Sequence, residues 1–430
     1  MRLKLRFQSI ICCLLMVLPL NALSFAEEGK ENRIGLVECL KYAYQNSEKL
    51  KIAELAVEQA RCALKQATAG LWPTLGYEIY RARTGRPDME YDTDYKGLKF
   101  SQNLYTGGKL NASIKQARLR LENALEDQRQ VKQQLANDVK QAYYQMWLAL
   151  QKLTVAQASY DNMGKHFSNV DKKYQEGMIP KIDLLQAQVN WRKLKPEVIS
   201  AQNEVSLCRS NLALLIGKQN EKTLLIELES LMKITPQTVT TSFDNHLGTA
   251  YRERPEMREL INNIEIAKLG VVIAQADYYP KVALSGSEDG NKNDLSPDWS
   301  ESWTLTADLS GTLFNGFATR QNVASAKMEV AKQLSREKQL KDEIRLKLEQ
   351  VLQTLEESIE TIEVNQANCD LAKESLRLTQ IKLDEGLATN TDLLDAQLDV
   401  DEALNGYYNG IYNYLAALAN LDLVLGKDFY

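Results

Sequence analysis

Apolar side chains between Ile114 and Tyr174 recur at steps of three and four in near-strict alternation, as in Leu135, Val139, Ala142, Met146, Ala149, Leu153, Ala156, Tyr160 and Met163. That spacing is the seam of a coiled coil. Val131, Leu135 and Val139 are separated by two successive steps of four, a stutter that locally relaxes the supercoil. Ile344, Leu348, Val351, Leu355, Ile359 and Ile362 carry the same pattern later in the chain. A helix from Lys109 to Tyr174 would be roughly 100 Å long at 1.5 Å per residue. That length belongs to a rod or a tube rather than a globular core.

The period changes after Pro73 and Pro280. Proline lacks the amide hydrogen and disfavours helix in the residue before it, so both end the preceding helices. Beyond them the alternation is two. Leu98 and Phe100 alternate with Lys99, Ser101 and Asn103, and Trp303, Leu305, Ala307 and Leu309 alternate with Thr304, Thr306, Asp308 and Ser310. Leu75, Tyr77 and Ile79 follow the pattern less cleanly. These segments predict two β-hairpins, 74–105 and 281–314, with polar turns in RTGRPDMEYDTD and EDGNKNDLSPDWS. Strands of this kind suit tilted membrane crossings of about 9–11 residues, although a soluble half-buried sheet alternates in the same way. Trp72, Tyr77, Tyr278 and Tyr279 cluster where helix meets strand, as in an interfacial aromatic belt. Four strands are too few to close a barrel, and an open edge in lipid leaves backbone groups unpaired at several kcal/mol each. If these strands span a membrane, several copies must share one barrel.

The chain is also a tandem repeat. EGMIPKIDLLQAQ from Glu176 returns as EGLATNTDLLDAQ from Glu385, and LLIGK near Gly217 returns as LVLGK near Gly426. The offset is 207 to 209 residues throughout. One half-molecule repeated twice predicts repeats 27–217 and 246–430 around a linker at 218–245, with helix-to-helix tips at 176–182 and 385–391.

The first 26 residues have a basic start, an apolar run from Ile10 to Leu20, and small residues Ser24 and Ala26 before an acidic stretch. This predicts a secretory signal peptide cleaved after Ala26, the run being short for a membrane-spanning helix. Cys12 and Cys13 lie inside the run without the small residue that precedes a lipidated cysteine, so no lipid anchor is expected. Loss of Arg2, Lys4 and Arg6 takes the formal charge from −5 to −8. An acidic chain without a basic cluster argues against a nucleic-acid partner. Cys39, Cys62, Cys208 and Cys369 are scattered without metal-ligand spacing, which reads as buried free thiols. His166 and His246 are far apart in sequence, and no nucleophile–base, phosphate-binding, metal or cofactor pattern accompanies them. The sequence therefore points away from an enzyme.

The acidic turns are the candidate chemistry. Gly177 and Gly386 permit a left-handed helix end. Asp183 and Asp392 then fall near the start of the next helix, where an acid contributes about 0.3–1 kcal/mol through the helix dipole or faces a pore. Asp395 lies one turn further on the same face as Asp392, where the capping benefit has faded. Its counterpart in the first repeat is Gln186.

With LVECLKYAYQNSEKLKIAELAVEQARCALKQATAGLWPTLG, LYTGGKLNASIKQA, the second-half entry LGTAYRERPEMRELINNIEIAKLGVVIAQADYYPKVALSGS and the twin G-x5-D-L-L-x-A-Q turns, the mature chain resembles the TolC-like outer membrane efflux proteins, or outer membrane factors. The resemblance implies a membrane protein of mixed α and β structure. Each chain would give four transmembrane strands and part of a long coiled-coil helical tunnel, and a homotrimer would share one twelve-stranded barrel in the Gram-negative outer membrane. It implies an exit duct for small molecules or polypeptides, working with a periplasmic adaptor (membrane fusion protein) and an inner-membrane transporter, with no cofactor. Asp392 and Asp395 would line the periplasmic entrance as stacked rings, and Asp183 would belong to the network that closes it. The turns at Gly177, Met178, Gly386 and Leu387 would dock the adaptor, and 218–245 would form a belt at the tunnel's equator.

The chain departs from the family at Leu383 and Ala388, where the best-known members carry tyrosine and arginine. That leaves apolar packing of Leu387 and Met178, or weaker contacts, to hold the closed state. Pro196, opposite Asn405, predicts a kink on one side only. The rival readings are an outer-membrane-anchored structural stalk and a passive porin. A stalk gives Asp395 no reason to face inward, and a porin needs no helices across the periplasm.

Overall fold

The computed structural model describes residues 33–218, 225–226, 242–294 and 296–428. Residues 1–26, expected to be a signal peptide and carrying Cys12 and Cys13, and most of the expected 218–245 linker lie outside the described residues. The chain runs β1 (Arg33–Ile34), α1 (Leu36–Asn46), α2 (Glu48–Ala69), β2 (Thr74–Arg86), β3 (Met89–Thr106), α3 (Lys109–Gln175), α4 (Lys181–Lys193) and α5 (Lys195–Leu215). After β4 (Leu225–Ile226) the plan repeats: α6 (Phe243–Glu253), α7 (Pro255–Gln275), β5 (Lys281–Asn293), β6 (Ser296–Ser310), α8 (Ala318–Asp384) and α9 (Asn390–Val424).

The seam residues do what their spacing predicts. α3 and α8 each run unbroken for 67 residues, roughly 100 Å at the helical rise. α3 packs on α2 and α7 towards the sheet, and on α4, α5 and α9 towards the tips; α8 packs on α7 and then α9. Around the stutter α3 is buried almost all round, at Leu135, Ala136, Val139, Ala142, Tyr143, Met146, Trp147 and Ala149. α1 and α6 add their apolar faces to this core. A relaxed supercoil suits a helix that must meet neighbours on several sides. Pro196 stands in the first turn of α5, after the break at Leu194, whereas α9 continues unbroken through Asn405.

β2, β3, β5 and β6 form one antiparallel sheet in that order. The strands are longer than the sequence suggested. Arg86 pairs with Met89 and Asn293 with Ser296, so RTGRPDMEYDTD and EDGNKNDLSPDWS are mostly ladder, not turn. Cross-strand ion pairs such as Arg83–Glu90 at 3.1 Å suit them to β pairing despite their polarity. At the other end β6 stops at Ser310 rather than 314, where the chain turns into α8. Gly108 and its repeat counterpart Phe317 enter the long helices at φ 85° and 67°. Phe317 does so without a glycine's freedom, at roughly 1–2 kcal/mol.

One sheet face presents Leu75, Tyr77, Ile79, Leu98, Leu284, Trp303, Leu305 and Leu309, most of them well exposed in the single chain. The opposite face carries polar groups, including the Lys99–Glu78 pair at 2.6 Å and Tyr95 donating to Asp289. Trp72, Tyr278 and Tyr279 stand exposed at the helix–strand junctions. No described helix is long and apolar enough to cross a membrane. Within the described residues β2 and β6 keep one free edge each. Cys39, Cys208 and Cys369 are buried free thiols, but Cys62 is exposed, because it falls on the outer side of α2.

Candidate functional site at the helical tips

Both long helices end in the same way. Gly177 and Gly386 each take φ 74°. Met178 N–H then donates back to the Lys173 carbonyl at 2.9 Å, and Leu387 N–H to that of Lys382 at 2.7 Å. These are paired Schellman ends, which satisfy carbonyls the helix leaves open. Met178 and Leu387 follow at the apices, 70% and 74% exposed. Within one chain they do not pack on each other, so apolar packing of these two residues is not what joins its tips.

Two other sets of contacts join them. Beneath the turns, Met163, Leu194, Leu393 and Leu394 form a buried cluster flanked by Tyr160, Trp191, Leu376 and Leu383. Leu383 thus packs at the edge of an apolar core. Phe167 stacks on Trp191 with ring centres 5.3 Å apart. A polar clasp centred on Asn390, the first residue of α9, lies alongside. His166 Nε2 meets its Oδ1 at 2.7 Å, its Nδ2 donates to the Asp183 carbonyl at 3.4 Å, and Asn190 Nδ2 donates to its carbonyl at 3.0 Å. Gln186 Nε2 donates to Thr391 Oγ1 at 2.8 Å. His166, Asp183, Gln186 and Asn390 line a cavity of about 610 Å³ between the two tips, with Gln380 and Ala388 on its other side.

The three acids divide. Asp392 is committed to a capping box: its carboxylate accepts from Thr389 N–H at 2.7 Å and from Thr389 Oγ1 at 2.8 Å, while its own N–H donates to Thr389 Oγ1. Those bonds, from the Thr389 backbone first and its hydroxyl second, hold its carboxyl below the usual carboxylate range. The capping position of α4 is Pro180, which has no side chain to accept a bond, so Asp183 sits in the first turn without such a box. Its half-buried carboxylate makes no hydrogen bond or ion pair among the described residues. Asp395 is exposed and unpaired among them, one turn beyond Asp392.

Two features went unread in the sequence. Asp399 and Glu402 continue Asp392 and Asp395 at helical steps, giving α9 one exposed acidic face opposite its buried Leu393, Ala396, Gln397 and Val400. The spacing was there to be seen. A polar group is also buried between α3 and α9. Ser159 Oγ donates to the Asp401 carboxylate, and Gln397 Nε2 donates to Ser159 Oγ at 2.9 Å and to Asp401 Oδ1 at 3.0 Å. The available signal was Gln397, a polar residue on the apolar side of its helix.

A twice-repeated chain with free edges on an amphipathic four-stranded sheet, carried on helices of about 100 Å and ending in acidic helical tips, has the form of one subunit of a barrel-and-tunnel channel. Residues 39–218 and 247–427 match the outer membrane efflux protein family, and the chain belongs to it. It is therefore an outer membrane channel protein and not an enzyme. Among its relatives, the alkaline protease secretion protein AprF of Pseudomonas aeruginosa is 24% identical over 91% of this chain and 84% of its own length. The cation efflux system protein CusC of Escherichia coli is 23% identical over 66% of this chain, the match spanning 63% of CusC. The fold superposes on a crystal structure of CusC with a TM-score of 0.80 at 19% identity, covering 91% of this chain and 92% of that one. It also matches the open state of the Neisseria gonorrhoeae MtrE outer membrane channel, with a TM-score of 0.77 at 19% identity, over 91% and 89% of the two chains.

Proposed function

We propose that this outer membrane exit duct is gated at its periplasmic end by the paired helical tips, and that the acidic face of α9 sets the ionic preference of the entrance. Three copies close one twelve-stranded barrel by joining the β6 edge of each to the β2 edge of the next, which leaves no backbone edge in lipid. The same three copies bring six tips together. Asp395, with Asp392 at its rim and Asp399 and Glu402 behind, then repeats around one constriction, and a ring of carboxylates favours cations. Asp183 faces the cavity between the tips and joins the closing network. Met178 and Leu387, exposed on their glycine turns, offer apolar contacts to a periplasmic adaptor that couples the duct to an inner-membrane transporter. Small molecules or polypeptides delivered by that transporter are the cargo class. Residues 1–26 act as a cleaved signal, and the repeats 27–217 and 246–430 meet at the 218–245 belt, a division supported by the two separate family matches.

The observation that carries this reading is the exposed, unpaired Asp395 on a helix face whose opposite side is buried. Single-channel recording of the purified protein in planar bilayers tests it. A small, cation-selective conductance that loses selectivity in Asp392→Asn/Asp395→Asn is expected. Selectivity unchanged in the double variant would overturn the role of these residues, and no conductance at all would favour an anchored stalk.

A further inference from the structure

We propose that Ser159, Gln397 and Asp401 form a proton-operated lock between α3 and α9, which sets how firmly the acidic end of α9 is held in register against α3. Its position is the first argument. Asp401 lies 11 residues beyond Asn390, roughly 16 Å along the helix at 1.5 Å per residue. It is therefore the next polar tie between these two helices above the tip clasp. Ser159, Gln397 and Asp401 are 1%, 5% and 9% exposed, so all three belong to the helix interface.

The bonding supplies the second argument. Every donor to the Asp401 carboxylate is neutral, namely the Ser159 hydroxyl and the Gln397 amide. Among the described residues Glu197 on α5 adds a second negative charge towards it. A buried carboxylate without a cation is costly. Once protonated, the group loses that cost and can still bond to Ser159 as a donor. Burial pushes the Asp401 carboxyl up from its ordinary value. The sign follows from that direction. A folded-state value raised above the unfolded one contributes stability that is fully present below the ordinary carboxylate range and lost as pH rises through the folded value. Acid therefore tightens the lock, and neutral pH loosens it.

The duplicated half supplies a comparison. The positions equivalent to Ser159 and Asp401 are Asn368 and Arg192, and the helix carrying Arg192 is broken at Leu194. The lock is confined to the unbroken helix that carries Asp392 and Asp395. It rests on the proposed gate only for its consequence, that the duct opens less readily in acid.

Amide hydrogen exchange over residues 397–408 of the intact protein in detergent, from about pH 4 to about pH 8 and corrected for intrinsic rates, tests it. Protection should fall severalfold as pH rises from the acid to the neutral end of that range. Asp401→Asn, which keeps the shape without the charge, should flatten the profile. Ser159→Ala removes one donor to the charged form and should move the midpoint to higher pH, which a purely structural contact would not do. A flat wild-type profile, or an unchanged one in Asp401→Asn, overturns the lock. A titrating exchange profile beside a pH-independent conductance supports the lock and counts against the gate, so the two failures are distinguishable.

Discussion

The two tips share a backbone and differ in almost everything their side chains do. Both end a 67-residue helix at a left-handed glycine with the same return bonds. After the turn they part. In the second repeat Thr389 and Asp392 close a capping box, Leu393 and Leu394 are buried, and α9 runs 35 residues without a break. In the first repeat Pro180 cannot cap, Leu184 and Leu185 are half-buried and exposed respectively, and the helix breaks after 13 residues. Duplication thus kept the geometry that lets a helix reverse and released the packing that anchors it. The second tip is built into its chain, while the first leaves its apolar residues facing outward.

The packing difference should give the largest effect. Leu394 is 5% exposed and its counterpart Leu185 is 45% exposed. Leu394→Ala is expected to cost about 2–5 kcal/mol as a core truncation, and Leu185→Ala less than about 0.5 kcal/mol as a surface one. Chemical denaturation of the detergent-solubilised protein measures both, and equal losses would break the asymmetry. The clasp comes next. Asn390 joins α9 to His166, Asp183 and Asn190, whereas its counterpart Lys181 is exposed. Asn390→Ala should cost about 1–3 kcal/mol from lost, partly buried hydrogen bonds and speed protease cleavage at the tips. Lys181→Ala should do neither.

Much of this was legible in the chain. The three-four seam from Ile114 to Tyr174 and the prolines at 73 and 280 read directly as long helices and strands, because period and backbone restriction are local properties. Gly177 and Gly386 announced the reversals for the same reason. What could not be read was partnership. That Leu383 joins Met163, Leu393 and Leu394 depends on how α8 and α3 lie across α9, which no spacing encodes. The Asn390 clasp joins residues 200 or more positions apart in the chain. Asp183 and Asp392 looked like equivalents because their motif is the same, yet the residue three positions earlier, Pro180 or Thr389, decides which of them caps. The strand lengths were underestimated because Arg83, Glu90 and their neighbours read as turn, although paired charges across a ladder suit a strand projecting beyond lipid.

The smallest effect concerns that capping difference, and it separates the tips by pH. Asp392 is held below its ordinary value by the Thr389 bonds. The sign is opposite to that of Asp401: a depressed carboxylate contributes stability above its unfolded value, and that contribution is lost as pH falls through the folded one. The start of α9 should therefore fray only in acid below about pH 4, read as faster amide exchange at residues 389–393 after correction for intrinsic rates. Thr389→Ala removes the box at every pH, at about 1 kcal/mol, and should abolish the acid dependence. Asp183→Asn should leave exchange at residues 181–184 unchanged, since its carboxylate supports no cap there. Acid fraying of equal size at both tips would mean that the two aspartates act alike through the helix dipole, and that Thr389 contributes nothing particular to the second.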